Sequence, residues 1–247
     1  MPLSQLDFSA ALVLGIAPAL AVLYWSIRRF DIPFTRYRLF DDRRLFGGFA
    51  VGLIFGTIAA FVEVNAPSGL AGTVAALAAF FLFEESFKTV WLNRRSYRGR
   101  FDTTFYGVAV GVGVAATLAV ASVLSSVAAS PAAFTTPETL LLLILFCVSW
   151  NLIHADTGVL IGFGASRGET LRPLIKALLV RYAHGAILLA FFLGADEPWS
   201  LLAVGTSIVF AAVLYHYAYT VLLPGTLPDD VRREMKREKR RARRAKA

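Results

Sequence analysis

One cysteine, Cys147, stands among 247 residues, so no disulfide forms within the chain. It lies in an apolar run and reads as a small buried hydrophobe. Histidines number three, which leaves few imidazoles for acid–base work or metal binding. Charged residues make up 17%, against ~25% in an ordinary soluble domain. No helix-borne H-E-x-x-H pair occurs, which removes the usual zinc-protease signature. A serine nucleophile in a G-x-S-x-G elbow is not expected, because the serines of the apolar segments have no obvious base at short range. No basic stretch precedes the first apolar run, so a cleavable signal peptide is not expected either.

What is present is hydrophobic length. Apolar residues form 57% of the chain and the mean hydropathy is +0.61. A bilayer crossing takes ~20 apolar residues as a helix. Seven segments approach that length: about 8–27, 45–62, 70–92, 102–129, 138–164, 171–193 and 199–222. The expected fold is therefore an all-α polytopic transmembrane bundle, with residues 1–224 as one helical domain and 225–247 as a basic cytoplasmic tail. Residues 30–44 mix aromatic and charged side chains and read as an interfacial connector. Gly47, Gly48, Gly52 and Gly56 in the second segment, and Gly107, Gly111 and Gly113 in the fourth, permit close helix contact. Asp102 precedes Thr103 as a candidate helix cap.

Lys and Arg are distributed unevenly. Their 25 positions fall in or near the connections 28–44, 93–101 and 165–171 and in the tail. The alternate ends carry acidic residues only: Asp7, Glu63, Glu138, Asp196 and Glu197. The positive-inside rule then places the N-terminus outside and the tail in the cytoplasm, facing anionic lipid. The net charge of +8 is thus an expression of topology, and no nucleic-acid partner is expected. An integral protein of the plasma membrane is the expectation.

A few polar groups sit inside these segments, where a charge costs ~2.5–3.5 kcal/mol at a helix centre. They are Glu84, Glu85 and Lys88 in the third segment, Asn151, His154 and Asp156 in the fifth, and Arg181 and His184 in the sixth. At ~1.5 Å per residue, Glu84 lies ~12 Å and His154 ~15 Å from the inner end, with His184 ~20 Å along its segment. Common depth suggests one cavity. Lys88 lies three residues after Glu85 and four after Glu84, so it pairs with one and leaves the other free as a base. A carboxylate and two imidazoles suit water activation. The set Glu84, His154 and His184 also matches zinc ligands, so zinc is a possible cofactor, although a metal-free site is favoured. An ion-pair scaffold or a proton-coupled carrier would use the same residues differently.

Glu84-Glu85-Ser86-Phe87-Lys88 resembles the E-E-x-x-K motif of the PrsW family. That family belongs with the CAAX prenyl proteases in a superfamily of glutamic-type intramembrane proteases. Asp102 through Tyr106-Gly107 to Gly111 and Gly113 resembles its next motif. His154-Ala155 with Gly158 and Gly162, then His184-Gly185, resemble the last two. Thr117-Leu118-Ala119-Val120 stands where family members commonly carry a Glu-Asn pair. The resemblance implies an intramembrane endopeptidase acting on a membrane-protein or lipoprotein substrate. Glu84, Glu85, His154 and His184 would be catalytic, with Lys88, Asp102, Tyr106, Asn151 and Asp156 in support. Glu84 would activate water, Glu85 would organise the site with Lys88, and one histidine would stabilise the oxyanion.

Overall fold

The computed structural model describes residues 5–30, 39–64, 70–129, 136–193 and 197–244. Most of the interfacial connector, 31–38, lies outside the described residues, as do the loop tips 65–69, 130–135 and 194–196. All regular structure among the described residues is helical: α1 (Gln5–Arg28), α2 (Asp42–Val64), α3 (Leu70–Leu92), α4 (Thr103–Ala129), α5 (Pro137–Ser166), α6 (Leu171–Ile187), α7 (Leu189–Phe192), α8 (Glu197–Tyr217), α9 (Leu223–Gly225) and α10 (Asp229–Arg244). A π-helical stretch, Ala218–Leu222, joins α8 to α9.

Six helices among the described residues are long and apolar enough to cross a membrane: α1 to α5, and the run Pro198–Gly225. The protein is an all-α bundle of the integral-membrane kind. The segment expected as a sixth crossing, 171–193, is not among them. It divides into the 17-residue α6, which carries Arg172, Lys176 and Arg181, and the four-residue α7. Hydrogen bonds from Leu188 N to His184 O and from Phe192 N to Leu188 O, both 3.1 Å, carry the chain across the break. Phe191 and Phe192 reach the level of Phe146, with ring centroids 4.9 and 6.2 Å away.

α4 is the axis of the bundle. It carries no charged side chain, packs against α1, α2 and α5, and is buried along most of its length. Its small residues let neighbouring backbones come close. A Cβ added at Gly107 would overlap the carbonyl of Gly158, and one at Gly158 would overlap the carbonyl of Gly107. One added at Gly111 would overlap the carbonyl of His154. The α4–α5 seam is therefore backbone against backbone, the soluble-protein spacing being narrowed by small residues.

The basic connections meet at one end of the bundle. Arg44 donates to Ser96 O at 3.2 Å, Gly99 N to Ala165 O at 2.9 Å, and Arg98 to Gly168 O at 2.7 Å. Thr170 donates to Asn93 at 2.9 Å. Gly168, with φ +77°, takes the left-handed conformation that ends α5. In the first two turns of α10, Val231 is buried and Met235 packs on the core.

Candidate functional site

The polar residues of α3, α5 and α6 converge in the bundle interior. Glu84, Glu85, Lys88, His154, Arg181 and His184 are all fully buried. Glu85 and Lys88, three apart on α3, form an ion pair of 2.7 Å. Lys88 Nζ also donates to Thr157 Oγ1 at 2.8 Å and lies 3.3 Å from His154 Nδ1. An ammonium has three protons and accepts nothing. With Lys88 charged, its three neighbours take its three protons, which makes His154 Nδ1 an acceptor and puts the imidazole proton on Nε2. That proton faces Glu84, whose Oε1 is 3.8 Å from His154 Nε2. The gap exceeds a hydrogen bond.

Glu84 is not free, as the one-lysine arithmetic expected. Arg181 NH2 donates to Glu84 Oε2 at 2.7 Å. Arg181 Nε lies 3.5 Å from Glu85 Oε1, in ion-pair range without the geometry of a hydrogen bond. The guanidinium carbon lies over both the Phe81 and the Trp150 ring, 4.2 and 4.5 Å from their centroids, and the two rings are tilted at 54° to each other. Two carboxylates thus meet two cations. Five atoms of this group have no hydrogen-bond partner among the described residues: Glu84 Oε1, Glu85 Oε2, His154 Nε2, Arg181 Nε and Arg181 NH1.

His184 shares the α6 face with Arg181 but turns elsewhere. Its Nε2 is 2.9 Å from Ser149 Oγ, which is 2.8 Å from Ser207 Oγ on α8. A span serine therefore does have a base at short range, through a fold contact that sequence neighbours do not show. The four residues expected in one cavity divide into Glu84, Glu85 and His154 on one side and His184 with Ser149 on the other. Among the described residues no three His, Cys, Asp or Glu side chains are grouped to hold a metal ion, so the set Glu84, His154 and His184 does not assemble as ligands.

The supporting residues separate further. Asn151 Nδ2 donates to Cys147 O at 2.8 Å and to Gly15 O on α1 at 3.4 Å, away from Glu84. Asp102 does not serve α4 as a simple cap. Its carboxylate accepts from Arg100 Nε and NH2 at 3.0 and 2.8 Å and from the Tyr106 hydroxyl at 2.9 Å. Tyr106 in turn accepts from Asp41 N at 3.0 Å, so this network ties two basic-end connections together. The hydrogen bonds to Asp102 hold the Arg100 guanidinium above its ordinary pKa. Asp156 lines a different opening, considered below.

Gly164-Ala165-Ser166-Arg167-Gly168 does read G-x-S-x-G. It is no nucleophile elbow: Ser166 closes a helix and its hydroxyl donates to Phe163 O at 2.7 Å. Arg181 and Thr157 are the partners that sequence reasoning passed over. The available signal was Arg181 three residues before His184, on the same helical face.

No family model, no curated protein and no solved structure matches this chain.

Proposed function

We propose that the chain is an intramembrane endopeptidase of the PrsW kind, hydrolysing peptide bonds of membrane-associated polypeptides with water. The observation that supports this reading is the set of buried, unpartnered atoms Glu84 Oε1, Glu85 Oε2 and His154 Nε2, held in place by Lys88 and Arg181. In the mechanism proposed, Glu84 Oε1 takes a proton from water and the hydroxide attacks the scissile carbonyl carbon. The developing oxyanion accepts from His154 Nε2–H and Arg181 NH1. The proton on Glu84 then passes to the leaving amine as the C–N bond breaks. Glu85 holds Lys88, and Lys88 holds the His154 tautomer.

In this reading α6 and α7 together form a seventh, broken crossing. It carries the chain from the basic end to the level of Phe146, so that α8 can return. The N-terminus then lies outside and the basic end in the cytoplasm of a plasma-membrane protein. A cysteine at Ser96 in intact cells should resist an impermeant thiol reagent and react after permeabilisation. Labelling from outside would reverse the orientation.

The pairing of both carboxylates with cations favours a second reading, a non-catalytic bundle with an ion-paired core. Cleavage of transmembrane peptide substrates in liposomes separates the two. Glu84→Gln keeps shape and removes basicity, and should lower cleavage per folded molecule ~10²–10⁴-fold, with Glu85 Oε1 still 3.5 Å from Arg181 Nε to balance the guanidinium. Wild-type protein that cleaves no member of a broad transmembrane peptide panel, or equal rates in wild type and Glu84→Gln, would leave the ion-paired scaffold as the function.

A further inference from the structure

A second polar feature lies on the other face of the α5–α6 pair. A groove of about 630 Å³ runs between α5, α6 and the α8–π-helical strand of the bundle. Its volume is within the ~300–1,000 Å³ of small-ligand sites. Leu160, Phe163, Val180, Leu214 and Val221 form apolar walls. Arg167, Arg172 and Lys176 stand at the basic end, exposed, with Glu169 as the one acidic group beside them. None of the three cations has an ion-pair partner among the described residues; Arg167 rests over the Phe163 ring at 4.0 Å. At the groove's floor is Asp156, 1% exposed, and neither carboxyl oxygen has a hydrogen-bond partner among the described residues. Asp156 is ten residues from the end of α5, ~15 Å deeper than Arg167 at the mouth and ~8 Å deeper than Lys176, which is five residues into α6.

We infer that this groove binds an extended polypeptide segment that enters from the basic end of the bundle. Three chemical requirements select the occupant. The mouth requires an anion, the walls require apolar side chains, and the floor requires a hydrogen-bond donor. An anionic phospholipid supplies the first two only, because its acyl chains donate nothing to Asp156. A polypeptide supplies all three: acidic side chains or a terminal carboxylate at the mouth, apolar residues along the walls, and a backbone N–H or hydroxyl at Asp156. An extended chain covers ~15 Å in about five residues. The segment recognised therefore carries a donor, about four apolar residues, and then acidic residues. The binding goes beyond the proposed hydrolysis and does not depend on it.

The test uses the full chain in detergent and in nanodiscs, with a fluorescein-labelled peptide of sequence Ser-Leu-Ala-Leu-Ala-Asp-Glu-Glu as probe. Saturable binding is expected, weakened at least about tenfold when the three acidic residues of the peptide are replaced by lysine. Arg172→Glu with Lys176→Glu should weaken the acidic peptide and restore the lysine peptide. Asp156→Leu should weaken both peptides about tenfold. Leu179→Trp, which narrows the groove from an exposed position without altering charge, should also weaken both, and it guards against a folding defect in the Asp156 variant. Binding unchanged in Leu179→Trp or in Asp156→Leu overturns the proposal. So does displacement of the peptide by phosphatidylglycerol but not phosphatidylcholine, with loss of the lipid effect in the Arg172, Lys176 double variant. That result would make the groove a lipid site.

Discussion

α5 presents two unlike faces to the helices around it. Toward α4 it offers Gly158, Gly162 and the carbonyl of His154, with no side chain in the gap. Toward α3 and α6 it offers His154 and Thr157, drawn into an ion-paired network. The first face is held by shape, the second by charge. They differ in what a substitution does. A seam of touching backbones has no rotamer to give, so any added Cβ moves a helix. A network of paired charges keeps its geometry after a change and leaves a buried ion without its partner.

The largest expected effect is therefore on the glycine face. Gly158→Leu should cost more than ~4 kcal/mol and yield little folded protein by size-exclusion chromatography. Gly205→Leu is the control, because a Cβ at Gly205 meets no atom within 4 Å. Equal melting of the two variants would erase the distinction between the faces. Next comes the charged face. Lys88→Met removes the nearer cation of Glu85, leaves Arg181 Nε at 3.5 Å as its remaining partner, and should cost about 3 kcal/mol in a reversible unfolding assay. Adding Glu85→Leu should recover most of that loss, as removal of a whole buried pair is often neutral. A double variant as unstable as the single one would mean that shape, not charge, governs this face too. The smallest effect belongs to the His184 branch. Ser149→Ala removes two neutral hydrogen bonds, to His184 and to Ser207, and should cost about 2 kcal/mol. A loss as large as that of Lys88→Met would place Ser149 and His184 in the same cooperative network as Glu84.

Much of this arrangement was readable before any coordinates. Depth along a helix follows from counting residues, so the meeting of Glu84, Glu85 and His154 at one level was legible. That Lys88 pairs with one of the two glutamates followed from spacings of three and four; that the partner is Glu85 did not. The gathering of basic connections at one end followed from charge placement. Rotation about the helix axis was not legible, because it depends on which neighbours each face meets. Arg181 and His184 share a face of α6, yet one reaches Glu84 and the other reaches Ser149. Asn151 shares a face with His154 in sequence, yet its amide turns to α1. Glu84, His154 and His184 are divided for the same reason, since equal depth does not bring side chains round to one point. The interruption at Leu188 was hidden by apolar residues that continue unchanged through it.

The glycine seam also bears on how the interior can open. Two helices joined along their backbones have nothing to slide over, so α4 and α5 move as one body. His154 rides on that body and keeps its height relative to Tyr106 and the basic-end connections. Any widening around Glu84 and Glu85 is therefore left to α3 or to α6. The α6 segment has the means, with a discontinuity at Leu188 and a short α7 beyond it. A hinge at Leu188 would carry the arginine away from a histidine held in place by the α4–α5 seam.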